Sequence, residues 1–446
     1  MTDSRDSMAD HLHEARPGAD GSAETALTGE AGRAVAAGPI GRAGRAGRAV
    51  ASGWRPDAVD DVDAVDVVAV GRTGRAAVAA DEESRHVLLS RARDELWQAV
   101  DARDEPTAAQ AVFDLLDSGL AAEDVLLEVI VPVQHRVGVE WAAGRITVAQ
   151  EHAATAVHDR IIAAMAHRPG PRSREPGATG MSVTVACVEG EWHALPARIL
   201  AETLRLRGHT VDFLGAQVPT PHLIAHLHRT APDVVALSSS LPTRLPTAHA
   251  AITAVQATGV PVLAGGAAFA PDGRYARRLG ADAWAAEARE AAEVLGRGLS
   301  RPHVDAARPA VEDLPHLIDQ EYTMVSRGKR QLVKNTLAGL ERRLPAMRSY
   351  GEAERERTAE DVAHIVDFLA AALYIDDVRL FTGFLDWTGD ILEARGVSAR
   401  VLLPGLDLLQ VDLKDFPRAL DLLGQGAAVL HGRDPFPTIS GTGAGA

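Results

Sequence analysis

Glu191, Trp192 and His193 directly follow an apolar run, Ser182–Val188, that reads as a buried strand. A carboxylate two residues before an imidazole can accept one ring N–H. That fixes the tautomer, leaves the other nitrogen as a lone-pair donor and raises its basicity toward a metal. Two later strand-like runs end in groups suited to the same edge. After Val234–Leu237 comes Ser238-Ser239-Ser240-Leu241, where a hydroxyl can bond the carboxylate and extend the relay. The run from Pro261 ends in Gly265-Gly266, where bare backbone lets a bulky group lie close. A second constellation lies upstream, where nine residues separate Trp141 from Glu151-His152 in VGVEWAAGRITVAQEHAAT. An indole offers a flat apolar roof with a polar edge, and a carboxylate one turn into a helix can accept sugar hydroxyls. Taken singly, a histidine after a strand is usually structural and a tryptophan in a bundle usually fills the core. Three strand-end motifs in order, behind a helical bundle, change that balance.

The elements that must position these groups follow from periodicity. Residues 181–300 alternate strand and helix, with strands expected at 182–188, 210–215, 234–240, 261–266 and 282–286 and helical spacing at 196–208 and 221–231. Near-continuous apolar strands between helices predict a parallel sheet buried on both faces, an α/β, Rossmann-like domain of flavodoxin-like order with its ligand at the strand C-termini. Residues 83–168 predict a four-helix bundle: Leu88, Leu89, Leu96, Trp97 and Val100 recur at helical spacing, and Thr147 and Gln150 fit a capping box. A Pro/Gly-rich linker, 168–180, joins the two, and 318–430 reads as an all-α domain with its clearest apolar spacing from Ala363 to Leu392. Residues 1–82, rich in Ala, Gly, Arg and Asp, read as a disordered tail.

Composition excludes several classes. The formal charge of −15 argues against a surface that grips nucleic acid throughout. One cysteine, Cys187, rules out a disulfide framework or a cysteine-rich metal site. No apolar run reaches the roughly 18–20 residues of a membrane span, and the first residues hold no signal-like apolar core, so the chain reads as soluble and cytoplasmic.

The pattern Glu191-x-His193-x-x-Pro196, then Ser238-x-Ser240-Leu241, then Gly265-Gly266 resembles the cobalamin-binding domain shared by methionine synthases, corrinoid proteins and light-sensing cobalamin repressors. The resemblance implies that His193 takes the lower axial position of cobalt while the dimethylbenzimidazole tail enters the α/β domain, the base-off/His-on form. It makes Glu191 the hydrogen-bond partner of His193, sets Ser238 and Ser240 beside the tail, and puts Gly265 and Gly266 at its end. Pro196 departs from the family's usual glycine. The Trp141, Glu151 and His152 spacing is similar to the cap of adenosylcobalamin photoreceptors of the CarH type, where the Trp covers the upper face beside the adenosyl group and the Glu bonds its ribose. Ala142 stands where those photoreceptors carry a second cobalt-ligating histidine, which leaves His135, His152 or His158 as the histidines available to that face. Their helix-turn-helix DNA-binding domain has no counterpart in residues 1–82, and the resemblance covers roughly 84–300.

The expected function is a non-catalytic cobalamin-binding regulator, holding adenosylcobalamin or else methylcobalamin and acting as a light- or cofactor-responsive switch. Its helices at 318–430 are expected to contact a protein partner or a second copy of the chain. A corrinoid carrier serving methyltransferases is the alternative, and a passive cobalamin store a third. Arg327, Lys329, Arg330 and Lys334 form a basic cluster of the kind that is usually a solvated face, and His364 reads as a surface or packed residue.

Overall fold

The computed structural model describes residues 72–168, 180–300 and 314–433, with side chains from Arg85 onward. The chain begins there with a helical cap. Its helices are α1 (Arg72–Asp101), α2 (Glu105–Asp117), α3 (Ala122–Val125), α4 (Val131–Ala142) and α5 (Val148–His167). Helix α1 takes in the end of the stretch expected to be disordered, where the sequence is rich in alanine, the strongest helix former. The rest of that expected tail, residues 1–71, and most of the expected linker, 169–179, lie outside the described residues.

Local chemistry sets the cap's helix ends. Asp104 accepts the Thr107 amide at 3.1 Å to start α2. Thr147 accepts the Gln150 amide at 3.2 Å while Gln150 accepts the Thr147 amide at 2.9 Å, so the expected capping box starts α5. Between α3 and α4 the chain stays helical but widens to a π-helical turn, Leu126–Ile130. Pro132 follows it and has no N–H to return to Glu128, so the widening falls where an α-helical hydrogen bond is unavailable.

The α/β domain follows with β1 (Ser182–Cys187), α6 (Ala194–Leu206), β2 (Thr210–Gly215), α7 (Thr220–Thr230) and β3 (Val234–Ser238). It continues with α8 (Leu245–Gln256), β4 (Val262–Gly265), α9 (Arg274–Arg278), β5 (Ala283–Ala285) and α10 (Ala288–Gly296). The five strands are parallel in the order β2-β1-β3-β4-β5, the flavodoxin-like order expected. Alternation divides β1 between two cores. Val183, Val185 and Cys187 pack with Ala197, Ala201 and Leu204 of α6. On the opposite face Ala186 and Val188 join Leu237, Ala264 and Leu245. The cap core, built on Leu96, Val112, Leu126, Ile130 and Ile161, reaches Leu195 and Ile199 of α6, so that helix carries the cap.

The C-terminal region is all helical: α11 (Glu321–Arg343), α12 (Glu352–Ile375), α13 (Val378–Glu393), α14 (Leu403–Asp412) and α15 (Pro417–Gly432). Phe368 and Phe384 stack at 3.8 Å between ring centroids. Buried Glu321 accepts the Arg418 and Ala419 amides, at 3.1 and 2.8 Å, capping α15 where Pro417 has no N–H to offer. These helices share one continuous core with a face of the sheet, and His249 of α8 meets Tyr374 of α12 with Nδ1 2.8 Å from the phenol oxygen. Lys329 pairs with Asp367 at 2.6 Å, while Arg327, Arg330 and Lys334 stay exposed. His364 is half-buried on α12, and burial, helped by Lys329 and Arg244 against Asp367, lowers its pKa. Among the described residues no helix is long and apolar enough to cross a membrane.

Candidate functional site

The loop after β1 holds the first cluster. Gly190, at φ +79°, turns the chain under the Arg244 side chain, and a β-carbon there would lie 3.0 Å from the guanidinium carbon. Glu191 is fully buried. Its Oε1 accepts both the imidazole Nδ1–H and, at 2.9 Å, the backbone N–H of His193. Its Oε2 accepts the amides of Ser240 at 2.6 Å and Leu241 at 2.9 Å, and the Ser239 hydroxyl at 3.3 Å. Burial alone would raise the Glu191 pKa, but the hydrogen bonds from His193 and the Ser240 amide outweigh it and hold it down to about 2. An ionised carboxylate only accepts, so the His193 proton sits on Nδ1 and Nε2 carries the lone pair. That Nε2 is buried without a hydrogen-bond partner among the described groups.

His193 opens α6, with Pro196 in the first helical turn, where backbone amides have no intrahelical partner and proline is tolerated. The imidazole faces a cavity of about 910 Å³ between the cap and the sheet edge, near the upper end of the usual range for small-molecule sites. His193, Ser238, Ser240, Gly265 and Gly266 line one side of it. Gly266 has φ +101°, and a β-carbon there would stand 2.3 Å from the Ser239 carbonyl oxygen, so only glycine fits. Arg289 ties the rim to the cap through Glu123, Asp124 and Glu128 at 3.2–3.4 Å, and Arg207 adds a pair to Glu123 at 2.7 Å.

Gln134, Glu151, His152 and Thr155 line the cap side. Glu151 is 7% exposed and accepts the Thr155 hydroxyl at 3.0 Å. His152 Nδ1 lies 2.7 Å from the other Glu151 oxygen and 2.9 Å from the Val148 carbonyl.

Trp141 sits elsewhere. It is 3% exposed and does not line the cavity; its ring centroid is 6.4 Å from that of Trp387 in α13, in the core shared with the C-terminal helices. The structure therefore brings His193, Glu191, Ser238, Ser240, Gly265, Gly266, Glu151 and His152 to one cavity, with Glu191 just behind its wall, and leaves Trp141 outside it. Sequence reasoning expected a hydroxyl of the Ser238–Ser240 run on Glu191 without singling out Ser239, and missed the Leu241 amide, Gln134 and Thr155. A backbone donor has no residue signature. The signal for Thr155 was its place one turn after Glu151.

A metal held by this site fits a particular kind of group. On the sheet side the available protein donor is the Nε2 of His193, and among the described residues no cluster of three or more His, Cys, Asp or Glu side chains could hold a metal ion. A metal bound through one imidazole must bring its own equatorial ligands, as the cobalt of a corrin does. The unpartnered Ser240 hydroxyl and the glycine-floored end of β4 suit a bulky appendage with polar edges.

Comparison with known proteins points to the same class of cofactor. Two family models, each described as a B12 binding domain, match residues 181–295 and 92–165, which are the α/β domain and the cap. The chain is 32% identical over 185 residues to the HTH-type transcriptional repressor CarH of Myxococcus xanthus, covering 40% of this chain and 58% of that protein. It is 28% identical over 148 residues to the repressor CarA of the same organism, covering 33% and 48%. The chain thus spans about half the length of these curated relatives. A solved structure, the monomethylamine corrinoid protein of Methanosarcina barkeri, aligns at 20% identity and a TM-score of 0.40, covering 46% of this chain and 97% of that one. The chain is a B12-binding-domain protein with a B12-binding helical cap, distantly homologous to CarH and CarA over part of its length.

Proposed function

We propose that this protein is a cobalamin-dependent regulator that takes adenosylcobalamin base-off between His193 and the cap and changes its packing when the adenosyl group is lost. The observation that supports this most is the pairing of two opposed walls. One offers an unpartnered imidazole lone pair, and the other an acceptor carboxylate, Glu151. His193 would hold the metal, with Glu191 fixing its tautomer, while Ser238, Ser240, Gly265 and Gly266 seat the displaced tail. Glu151, with His152 beside it, would accept the hydroxyls of the sugar. Bound adenosylcobalamin supplies a photolabile cobalt–carbon bond. Glu151 would lose its ligand partners on loss of the adenosyl group, and α4 and α5 would repack over the cavity. The C-terminal helices, in contact with the end of α4, would pass that change to a partner or to a second copy of the chain.

The test is reconstitution in the dark with adenosylcobalamin and with methylcobalamin, followed by green light. A His-ligated absorption spectrum, tighter binding of the adenosyl form and a light-dependent change in hydrodynamic radius are expected. Tighter binding of methylcobalamin would favour a corrinoid carrier for methyl transfer. An unchanged radius after photolysis rejects the switch.

A further inference from the structure

From the cap wall of the cavity a chain of hydrogen-bonded polar groups leads back into the cap core. His158, on α5, is fully buried, and its Nδ1 lies 2.6 Å from Gln134 Oε1 on α4. Gln134 Nε2 donates to Thr155 Oγ1 at 3.0 Å, and Thr155 donates to Glu151 Oε1 at 3.0 Å. Of the four, Gln134, Thr155 and Glu151 line the cavity; His158 does not.

The direction of this chain is forced from its end. The Glu151 carboxylate can only accept, so the Thr155 proton points to it. The Thr155 oxygen must then accept from the amide nitrogen of Gln134, which turns the amide oxygen toward His158. His158 must carry its proton on Nδ1. One acceptor at the cavity thereby fixes a hydroxyl rotor, an amide orientation and a tautomer, none of which is self-determined. Burial depresses the His158 pKa to about 4, so the imidazole stays neutral and adds no charge to the wall.

We propose that His158, Gln134 and Thr155 are positioning residues that preset Glu151 to accept ligand hydroxyl protons, and so set the preference for a hydroxyl-bearing upper ligand over a methyl group. The inference rests on the cobalamin reading of the cavity. Its chemistry is general. A carboxylate already oriented by a neutral donor pays less ordering cost when a diol binds, and a methyl ligand draws nothing from it. Aligned hydrogen bonds also polarise one another, and here the alignment ends on the ligand-facing group.

The experiment compares affinities of the full chain for adenosylcobalamin and methylcobalamin in wild type, His158→Met, Thr155→Val and Thr155→Ser. Either disrupting variant is expected to weaken adenosylcobalamin about tenfold, the loss of roughly one oriented hydrogen bond, while methylcobalamin changes less than about twofold. Thr155→Ser, which keeps the hydroxyl, should restore the wild-type ratio. If His158→Met fails to fold, the near-isosteric Thr155→Val and its serine counterpart carry the same comparison. Imidazole ¹⁵N spectra of the cofactor-free protein supply a second readout, in which His158 should show the Nδ1–H tautomer. Equal weakening of both cobalamins, no weakening, or an Nε2–H tautomer would overturn the relay. Wild type that shows no His-ligated spectrum with either compound would instead reject the underlying site, a separate result.

Discussion

The guanidinium of Arg395 donates to the carbonyl oxygen of Trp141 at 2.9 Å and to that of Ala142 at 3.0 Å, and its carbon lies 5.4 Å from the centroid of the Trp141 ring. Those carbonyls lie in the last turn of α4, where that of Trp141 also takes the Gly144 amide, so a residue just past α13 helps to cap a cap helix. Trp387 packs on the same indole. The cofactor-binding half and the C-terminal half are thus coupled at the end of a cavity-lining helix.

Arg395→Ala should accordingly lower unfolding free energy by about 2 kcal/mol, the scale of charged hydrogen bonds lost to backbone carbonyls. Urea denaturation measures this. Amide hydrogen exchange at residues 141–146 should also accelerate, because the end of α4 loses its donors. Trp141→Ala is expected to cost more, about 3–5 kcal/mol, as a core truncation. A variant of Arg395 with wild-type stability and exchange would show that the contact couples nothing.

His193→Ala removes an unpartnered imidazole nitrogen from the sheet side of the cavity. Its cobalamin complex should lose the His-ligated absorption bands while Glu191, still held by the Ser240 and Leu241 amides, keeps the loop folded. Affinity should fall by about tenfold or more, the scale of metal sites that lose a supporting interaction. Bands unchanged in the variant would mean that another group ligates the metal.

Much of this site was legible in the sequence because strand ends are legible. Apolar runs ending at Val188, at Leu237 and at Ala264 placed Glu191, His193, Ser238 and Gly265 on one edge, and a parallel sheet brings such edges together. The Thr147 capping box fixed where α5 starts and hence where Glu151 faces. What stayed hidden depends on contacts between distant segments. Nothing local to Trp141 reveals that Trp387 will pack on it or that Arg395 will cap its helix. Gln134 and Thr155 are polar residues in amphipathic helices, indistinguishable from solvated ones until the two helices meet. The hydroxyl expected to extend the Glu191 relay is that of Ser239, with the Ser240 contribution coming from its amide instead.

Gly266→Ala tests the floor of the cavity. The added carbon would meet the Ser239 carbonyl oxygen at 2.3 Å, and an L-residue at φ +101° is strained besides. Ser239 and Ser240 hold Glu191, so the clash should reach the His193 relay as well as stability. A loss of about 2–4 kcal/mol is expected, with weakened His ligation in the cobalamin spectrum. Normal melting and normal colour together would show that the β4 loop yields without disturbing the relay.

Asp361, in α12, gives the pH dependence. It is 6% exposed, and its Oδ1 has no hydrogen-bond partner among the described groups. Burial, with Glu360 nearby, pushes its pKa up to about 9 against the opposing pull of Arg357. The unfolded chain releases this proton near pH 4, so from there to about pH 9 the folded state binds more protons than the unfolded one, and stability falls as pH rises. Between pH 5 and pH 8 this one carboxyl removes up to about 4 kcal/mol. Asp361→Asn keeps the shape without the proton, so its melting temperature should exceed wild type by a margin that is small at pH 5 and larger at pH 8. A margin equal at both pH values would mean that the native carboxyl is already ionised, and that a cation reaches it in the folded protein.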